Sequence, residues 1–410
     1  MPSVSLLATL DTKGHEADYI RQLLTAWDVS VTLVDVGALG DPVVQADVTR
    51  QRIFELAGSS LEAVRQRGDR GEAVTLAAAG ATRLIREAHA RGEVAGVLGL
   101  GGSAGTTIAT AAMKALPLGL PKVMVSTLAS GMVRQFVGDK DIFMLNSVVD
   151  IIGLNRVSRL VLSQAARAMA GLVTHPAPQA EAADKPLVAA TMFGVTTPCV
   201  ERAKTTIERA GFEVLVFHAT GNGGRAMESL IGEGLIAGVL DITTTELADE
   251  LVGGFLSAGP DRLTAAARAG VPQVVSTGAV DMVNFYAPES VPAAFKDRLF
   301  YRHNPNVTLM RTTSEENARI GADIARKLSA ARGPAAVLLP ARGVSAIDKT
   351  GQPFDDPVAR KAVHDAIRAG LIGVPVEELD LHINDPAFAE AAAQRLIQLM
   401  KAQAEPQEGG

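Results

Sequence analysis

Short apolar runs of Val, Leu and Ala alternate with amphipathic helical spacing, and most runs close in a polar or glycine-rich turn. This alternation predicts an α/β protein with mostly parallel sheets, arranged as two tandem Rossmann-like subdomains. Two further observations carry the tandem arrangement. A stretch with three prolines and no apolar periodicity, THPAPQAEAADKP at 174–186, interrupts the chain. The pattern then restarts: Ala95-Gly96-Val97-Leu98 recurs as Ala237-Gly238-Val239-Leu240, and Val125-Ser126-Thr127 as Val275-Ser276-Thr277. SLLATL at 5–10 is matched in pattern by LVAATM at 187–192, and the order is the same in both halves. An internal duplication is expected, with subdomains at 1–175 and 187–402, a linker at 176–186 and a disordered tail at 403–410.

The elements are expected in the following order. Val4–Leu10 forms a strand, and a helix marked by Tyr19, Ile20, Leu23 and Leu24 follows Asp11-Thr12-Lys13-Gly14. Val31–Val36 is the next strand, ending at Gly37. Residues 41–92 lack a strong strand and read as a helical insertion, its last helix near 71–90. Val94–Leu100 is a buried strand, followed by a glycine-rich turn and a helix over 103–116. Strands at 122–126 and 142–145 and a long helix with Leu154, Val157, Val161, Ala165, Ala168 and Leu172 in phase complete the first copy. In the second copy the apolar runs place strands at 187–192, 213–217, 235–240, 271–276, 335–339 and 374–379, with helices at 199–209 and 386–401, and the run 307–310 leads through Arg311 into a further helix.

Composition narrows the function classes. Hydrophobic residues make up 47% of 410 and charged ones 20%, enough to bury substantial cores. The net charge of −6 argues against a nucleic-acid surface, which would be basic. A single cysteine, Cys199, excludes a disulfide framework and a Cys-based zinc site, and nothing marks it as a nucleophile. The N-terminal apolar run is too short for a signal peptide, and no run of about 18 apolar residues occurs. A cytoplasmic protein without membrane or nucleic-acid partners is expected.

The motif richest in chemistry is the turn GLGGSAGT at 99–106, with Gly99, Gly101, Gly102 and Gly105. Glycines let backbone approach a ligand or adopt positive φ, and the free N–H groups of the following helix suit phosphate. Ser103 and Thr106 add hydroxyls. The turn fits Gly-x-Gly-x-x-Ala, but the acidic residue that would complete a dinucleotide fingerprint is absent, since the next strand ends Ser126-Thr127. No lysine completes a P-loop. Beside it, Lys13 could neutralise phosphate and Asp11 could hold Mg²⁺, with Thr12 between them; Ser126, Thr127, Ser130 and Gly131 lie on the same rim. Arg65, Arg67 and Arg70 read as a solvated helix face. In the second half His218, Asp241, Glu246, Asp281, His303, Asn304 and Arg311 form a polar set able to do acid–base chemistry or bind a carboxylate substrate. No His-x-His or His-x-x-x-His pair suggests zinc.

Taken together, TLDTKG (9–14), GLGGSAGT (99–106), VSTLASG (125–131), TMFGVTTPCV (191–200), VFHATGNGGRAME (216–228), VLDITTTELADEL (239–251), DMVNFY (281–286), HNP (303–305), LMRTT (309–313) and HINDPAFA (382–389) resemble the family of the tomato mosaic virus resistance protein and its bacterial relatives. The resemblance implies ATP bound with Mg²⁺, homodimerisation, and a phosphate site at Gly101, Gly102, Ser103, Gly105 and Thr106 flanked by 11–14 and 126–131. It implies no reaction. The expected function is ATP–Mg²⁺ binding, with transfer to a small acid as one use of it. A regulatory nucleotide module without turnover, or a hydrolase or isomerase built on His218 and Glu246 with Asp241 and Arg311, are the alternatives.

Overall fold

The computed structural model describes residues 3–131, 133–175 and 184–404. The chain divides into two compact units, Met1–Ala180 and Glu181–Gly410. Most of the expected linker, and residues 405–410 of the expected tail, lie outside the described residues; the last helix continues through Ala404.

The first unit runs β1 (Ser3–Ala8), α1 (Leu10–Ala26), β2 (Val31–Asp35), α2 (Arg50–Leu56), α3 (Leu61–Arg67), α4 (Arg70–Ala90), β3 (Val94–Gly101), α5 (Ser103–Lys114), β4 (Lys122–Ser126), α6 (Arg134–Val137), β5 (Phe143–Asn146) and α7 (Arg156–Thr174). Its five strands are parallel in the order β2-β1-β3-β4-β5. Period-two alternation splits the sheet into two buried faces. Val4, Leu6, Leu33, Leu98 and Val125 face Ile20 and Leu24 of α1 and Leu162 and Met169 of α7. Leu7, Val34, Val97 and Met124 face Phe54 of α2, Ala81 and Ile85 of α4 and Ile108 and Met113 of α5. A central strand buried on both sides explains the unbroken apolar run of β3. The helical segment between β2 and β3 is held by local signals: Asp69 caps α4 by accepting from the N–H groups of Gly71 and Glu72.

The second unit runs β6 (Leu187–Met192), α8 (Thr197–Arg209), β7 (Glu213–His218), α9 (Asn222–Gly232), β8 (Gly238–Thr243), α10 (Thr245–Val252), α11 (Ala265–Ala269), β9 (Gln273–Gly278), β10 (Met282–Phe285), β11 (Phe300–Asn304), β12 (Val307–Arg311), α12 (Ser314–Leu328), β13 (Ala335–Pro340), α13 (Pro357–Gly370), β14 (Val376–Leu379) and α14 (Pro386–Ala404). Six parallel strands follow the order β14-β13-β9-β8-β6-β7. Val188, Ala190 and Leu240 pack on Ile207 of α8 and Phe388 of α14, while Val275, Val337 and Leu339 pack on α12 and α13.

One departure from the sequence reading stands out. The run at 307–310 is a strand, but it sits in a separate antiparallel sheet, β10-β12-β11, rather than with the parallel strands. The turn Asn304-Pro305-Asn306 folds β11 back on β12, and Asn304 Oδ1 accepts from Asn306 N at 2.8 Å.

Read from β7, the second sheet repeats the order of the first: β7-β6-β8-β9-β13 corresponds to β2-β1-β3-β4-β5. The repeated Ala-Gly-Val-Leu falls at the same register, Gly96 opposite Val4 and Gly238 opposite Val188, each the second residue of its copy's first strand. The other two repeated words are displaced. Val97 pairs with Lys122 and Val239 with Gln273, so the two Val-Ser-Thr words lie one residue out of register, and SLLATL and LVAATM are shifted by two. Topology, more than shared words, carries the duplication.

Candidate functional site

In a sheet ordered 2-1-3-4-5 the connections from β1 and β3 leave in opposite directions and open a crevice at their carboxyl ends. A cavity of about 320 Å³ lies there in the first unit. Its floor is Thr9, which follows β1, with Asp11, Thr12 and Lys13 at the start of α1, and the turn Gly102-Ser103-Ala104-Gly105. Its walls are the loop 36–39 after β2, a stripe of α4 formed by Arg70, Ala73 and Val74, Ile108 of α5, and Asp150.

The glycines of the turn divide their work. None has a positive φ; they serve close approach. A Cβ on Gly99 would lie 2.5 Å from both Ala109 Cβ and Met124 Sδ, and one on Gly101 would lie 2.8 Å from the Cα of Gly105. These two let α5 press onto the sheet. Gly102 is different: the nearest atom to its ideal Cβ, Thr127 Oγ1, is an ordinary 3.5 Å away. The protein leaves room for a side chain at the point where the cavity begins. Gly102 is also the N-cap of α5, with no side-chain cap and no acidic residue in the first turn. The N–H of Thr106 is the first to bond back, to Gly102 O at 2.8 Å, so the preceding N–H groups of the helix have no intrahelical acceptor.

The remaining residues predicted for this site separate into two groups. Asp11, Thr12, Lys13, Gly102, Ser103 and Gly105 line the cavity. Gly101, Thr106, Ser126, Thr127, Ser130 and Gly131 do not. Thr106 Oγ1 turns inward to Ser126 Oγ at 2.7 Å, and Ser126 Oγ also accepts from Leu128 N. Both side chains are buried, while Ser130 and Gly131 are exposed.

Asp11 is engaged in structure. Its Oδ2 accepts from the N–H groups of Leu39 at 3.2 Å and Gly40 at 3.1 Å and lies 3.6 Å from Arg50 Nη1. Arg50, itself buried, is fixed by Asp35 at 2.6 Å; the other oxygen of Asp35 accepts from Leu10 and Gly37 N–H groups. Arg65 donates to the carbonyls of Ala38 and Gly40. The loop after β2 is thus pinned from α1, α2 and α3. Lys13, Arg70 and Asp150, by contrast, have no ion pair among the described residues.

Asp35, the loop 36–39 and the Ala73–Val74–Ile108 wall were not singled out from sequence, and Arg70 was read only as part of a solvated helix face. The available signals were the acid closing β2 and the spacing 70, 73, 74, which puts the three residues on one helix face.

The second unit's crevice, between β6 and β8, is filled by its own side chains. Thr191 Oγ1 donates to Asp241 at 2.7 Å, and Thr196 and Thr243 hydroxyls pair at 2.8 Å. Arg262, buried, donates to both oxygens of Asp241 at 2.5 and 2.7 Å and to Glu246 Oε2 at 2.6 Å. Glu246 Oε1 accepts from the N–H groups of Gly221 and Gly224 at the start of α9. Counting from Gly96 and Gly238, Ser103 corresponds to Thr245 and Ala104 to Glu246. Where α5 begins with an open terminus, α10 begins with a carboxylate whose acceptors are used.

The proposed acid–base residues of this half therefore do not converge. His218 is exposed at the end of β7, edge-on to Phe193 with ring centroids 5.9 Å apart. Asp241 and Glu246 belong to Arg262. Arg311 sits in another buried cluster, donating to Asp348 Oδ1 at 3.2 Å and to the Phe354 carbonyl at 2.9 Å. In that cluster burial, aided by the nearby charge of Asp348, pushes the Asp281 carboxyl up to about 7. Burial likewise raises Asp249 to about 7 and the Cys199 thiol to about 12, so Cys199 stays protonated and inert. His303 is exposed on β11. Among the described residues no helix is long and apolar enough to cross a membrane.

Comparison with known proteins agrees with the two-part architecture. The N-terminal domain model of the uncharacterised protein family UPF0261 matches residues 2–178, and its C-terminal domain model matches residues 185–400. A UPF0261 protein of Clostridium tetani is 47% identical over 97% of this chain and 99% of its own. One from Rhizobium meliloti is 50% identical over 96% of this chain and 98% of its own. The ToMV resistance protein Tm-1(GCR237) of Solanum lycopersicum is 39% identical over 97% of this chain, which spans 56% of that protein. With both domain models matched in order along nearly its whole length, the chain belongs to the UPF0261 family, which includes these bacterial proteins and the tomato ToMV resistance protein.

Proposed function

We propose that the first unit binds ATP with Mg²⁺ in the crevice between β1 and β3. The observation that carries this reading is the uncapped N-terminus of α5, opening at Gly102 onto a cavity that also presents the unpaired cations Lys13 and Arg70. Backbone N–H groups, the helix dipole and two cations all favour a phosphate there. The apolar wall of Val36, Ala73, Val74 and Ile108 offers a face for a base. Asp11 Oδ2 already takes two N–H groups beside Arg50, so only its Oδ1 is left to reach a metal or the metal's water. Among the described residues no three His, Cys, Asp or Glu side chains gather as a metal cage. Mg²⁺ would be held mainly by phosphate oxygens and water, as this ion prefers, with Asp150, whose Oδ1 accepts from the Ile151 N–H at 2.8 Å, able to join through Oδ2.

The reading extends to a cytoplasmic homodimer in which ATP drives transfer to a small acid. Phosphoryl transfer relies on positioning and charge stabilisation, so the lack of a dedicated nucleophile in the cavity does not oppose it. The second reading, nucleotide as a regulatory ligand without turnover, is favoured by one feature: the residues expected to supply acid–base chemistry are scattered or used in buried pairs. Thermal-shift titration with ATP and Mg²⁺ tests binding; absence of stabilisation would end the proposal. ADP release that depends on an added small acid selects transfer over regulation. Sedimentation velocity at micromolar chain concentration tests the homodimer.

A further inference from the structure

We propose that Arg70 is a phosphate-binding residue, through which the inserted helices α2–α4 engage the polyphosphate chain of the nucleotide. This rests on the nucleotide reading above.

Four observations converge on it. Arg70 lines the cavity together with Ala73 and Val74, all on one face of α4. It has no hydrogen bond or ion pair among the described residues, whereas its neighbours are engaged: Arg65 holds the Ala38 and Gly40 carbonyls, and Arg67 pairs with Glu72 at 2.7 Å. It stands at the first position of α4, directly after the N-cap Asp69, where the positive end of the helix dipole disfavours a cation. The capping carboxylate of Asp69 turns its Oδ1 to the Gly71 and Glu72 N–H groups and makes no ion pair with Arg70. A guanidinium kept unpaired, at the wrong end of a helix and facing a cavity, is poised for an anion that arrives from outside.

The chemistry favours a polyphosphate over a single phosphate. The N-terminus of α5 with Lys13 suffices to neutralise one phosphate group. A further planar donor on the opposite wall finds use when the anion carries more charge and more oxygens, to which a guanidinium can bond in pairs. The helical insertion then has a role at the site: it carries the cation that faces the glycine turn.

The test is calorimetric titration of the full chain with ATP, AMP and inorganic tripolyphosphate, each with Mg²⁺, for wild type, Arg70→Ala, Arg70→Lys and the control Arg67→Ala. Arg70→Ala is expected to weaken ATP and tripolyphosphate at least tenfold and AMP less than twofold, with a shallower dependence of ATP affinity on salt. Arg70→Lys should recover part of the loss, and Arg67→Ala should match wild type. ATP affinity within twofold of wild type in Arg70→Ala overturns the inference. So does an equal fall for ATP and AMP, which would mean that Arg70 acts on the part the two share, the nucleoside and its first phosphate, and not on the polyphosphate chain. A wild type that binds tripolyphosphate but not ATP, with the binding lost in Arg70→Ala, would refute the nucleotide reading and leave Arg70 as a polyphosphate ligand. Binding of neither overturns both.

Discussion

Gly101 and Gly102 are adjacent in the chain and opposite in what they do for the fold. An alanine at 101 would drive its Cβ into the backbone of Gly105, so Gly101→Ala should destabilise the first unit by about 1–3 kcal/mol through overpacking. An alanine at 102 meets only Thr127 Oγ1, at an ordinary 3.5 Å, and at a negative φ, so Gly102→Ala should change stability by no more than about 1 kcal/mol while weakening ATP at least tenfold. Chemical denaturation and titration of the same two variants check this; a stable Gly102→Ala with full ATP affinity would detach the turn from the ligand. The sequence showed that this turn was special but not which glycine faces the cavity, because close packing and ligand approach select the same residue. Asp249 carries a different residue-scale prediction. Burial raises its carboxyl to about 7, against the pull of the Asn284 N–H groups that it accepts at 2.7 and 2.6 Å. A raised carboxyl favours folding below its unfolded value near 4, and that contribution is lost as pH rises through about 7. The stability of Asp249→Asn relative to wild type should therefore improve from pH 5 to pH 8. A difference in urea midpoint that stays flat across this range would contradict the assignment.

At the scale of elements, the loop after β2 is the part of the site built by the most parts of the chain. Asp11 of α1 holds its N–H groups, and Arg50 of α2 and Arg65 of α3 hold its carbonyls. Asp11→Ala would leave two backbone donors and a buried arginine short of a partner. A loss of about 0.5–1.5 kcal/mol follows from the lost hydrogen bonds, since water can reach the exposed N–H groups of Leu39 and Gly40, together with weaker ATP binding caused by the loosened wall. Denaturation midpoints and titration of that variant would show both effects; loss of affinity with unchanged stability would point instead to a direct ligand role. Most elements were legible in advance, because burial on both faces of a parallel sheet leaves long apolar runs such as β3. The hairpin β11–β12 was not recognised, although its Asn-Pro turn was in view, since a short strand run has no mark that tells parallel from antiparallel pairing. Arg70 is exposed, as its reading on a solvated helix face expects, but that a cavity faces its stripe with Ala73 and Val74 depends on contacts between α4 and α5 that sequence periodicity does not report.

At the scale of the molecule, two copies of one topology end in unequal crevices. The first is open and lined with unpaired cations; the second is closed by Asp241, Glu246 and Arg262. One ATP per chain is the expected stoichiometry, despite the duplication. Calorimetry that finds two sites would overturn the assignment of the second crevice as a structural core. Glu246→Ala should destabilise the second unit by about 3–5 kcal/mol, because Arg262 loses a partner within a buried ion network, and it should leave ATP affinity in the first unit unchanged.

The Arg262 network also bears on how the two copies can change over time. Replacing Glu246 alone, as a step towards an open helix terminus, takes a partner from a buried guanidinium; replacing Arg262 alone takes the cation from three carboxylates, Asp241, Glu246 and Glu228. Neither single step is near neutral, so any return of the second copy to an open crevice must pass through a poorly folded chain or change several residues at once. The first copy has no such lock at the matching position, where Ala104 stands free of partners. Sequence drift can therefore alter ligand preference in one half far more readily than in the other, and diversity among descendants of this chain should gather around the first crevice while the second keeps its trio.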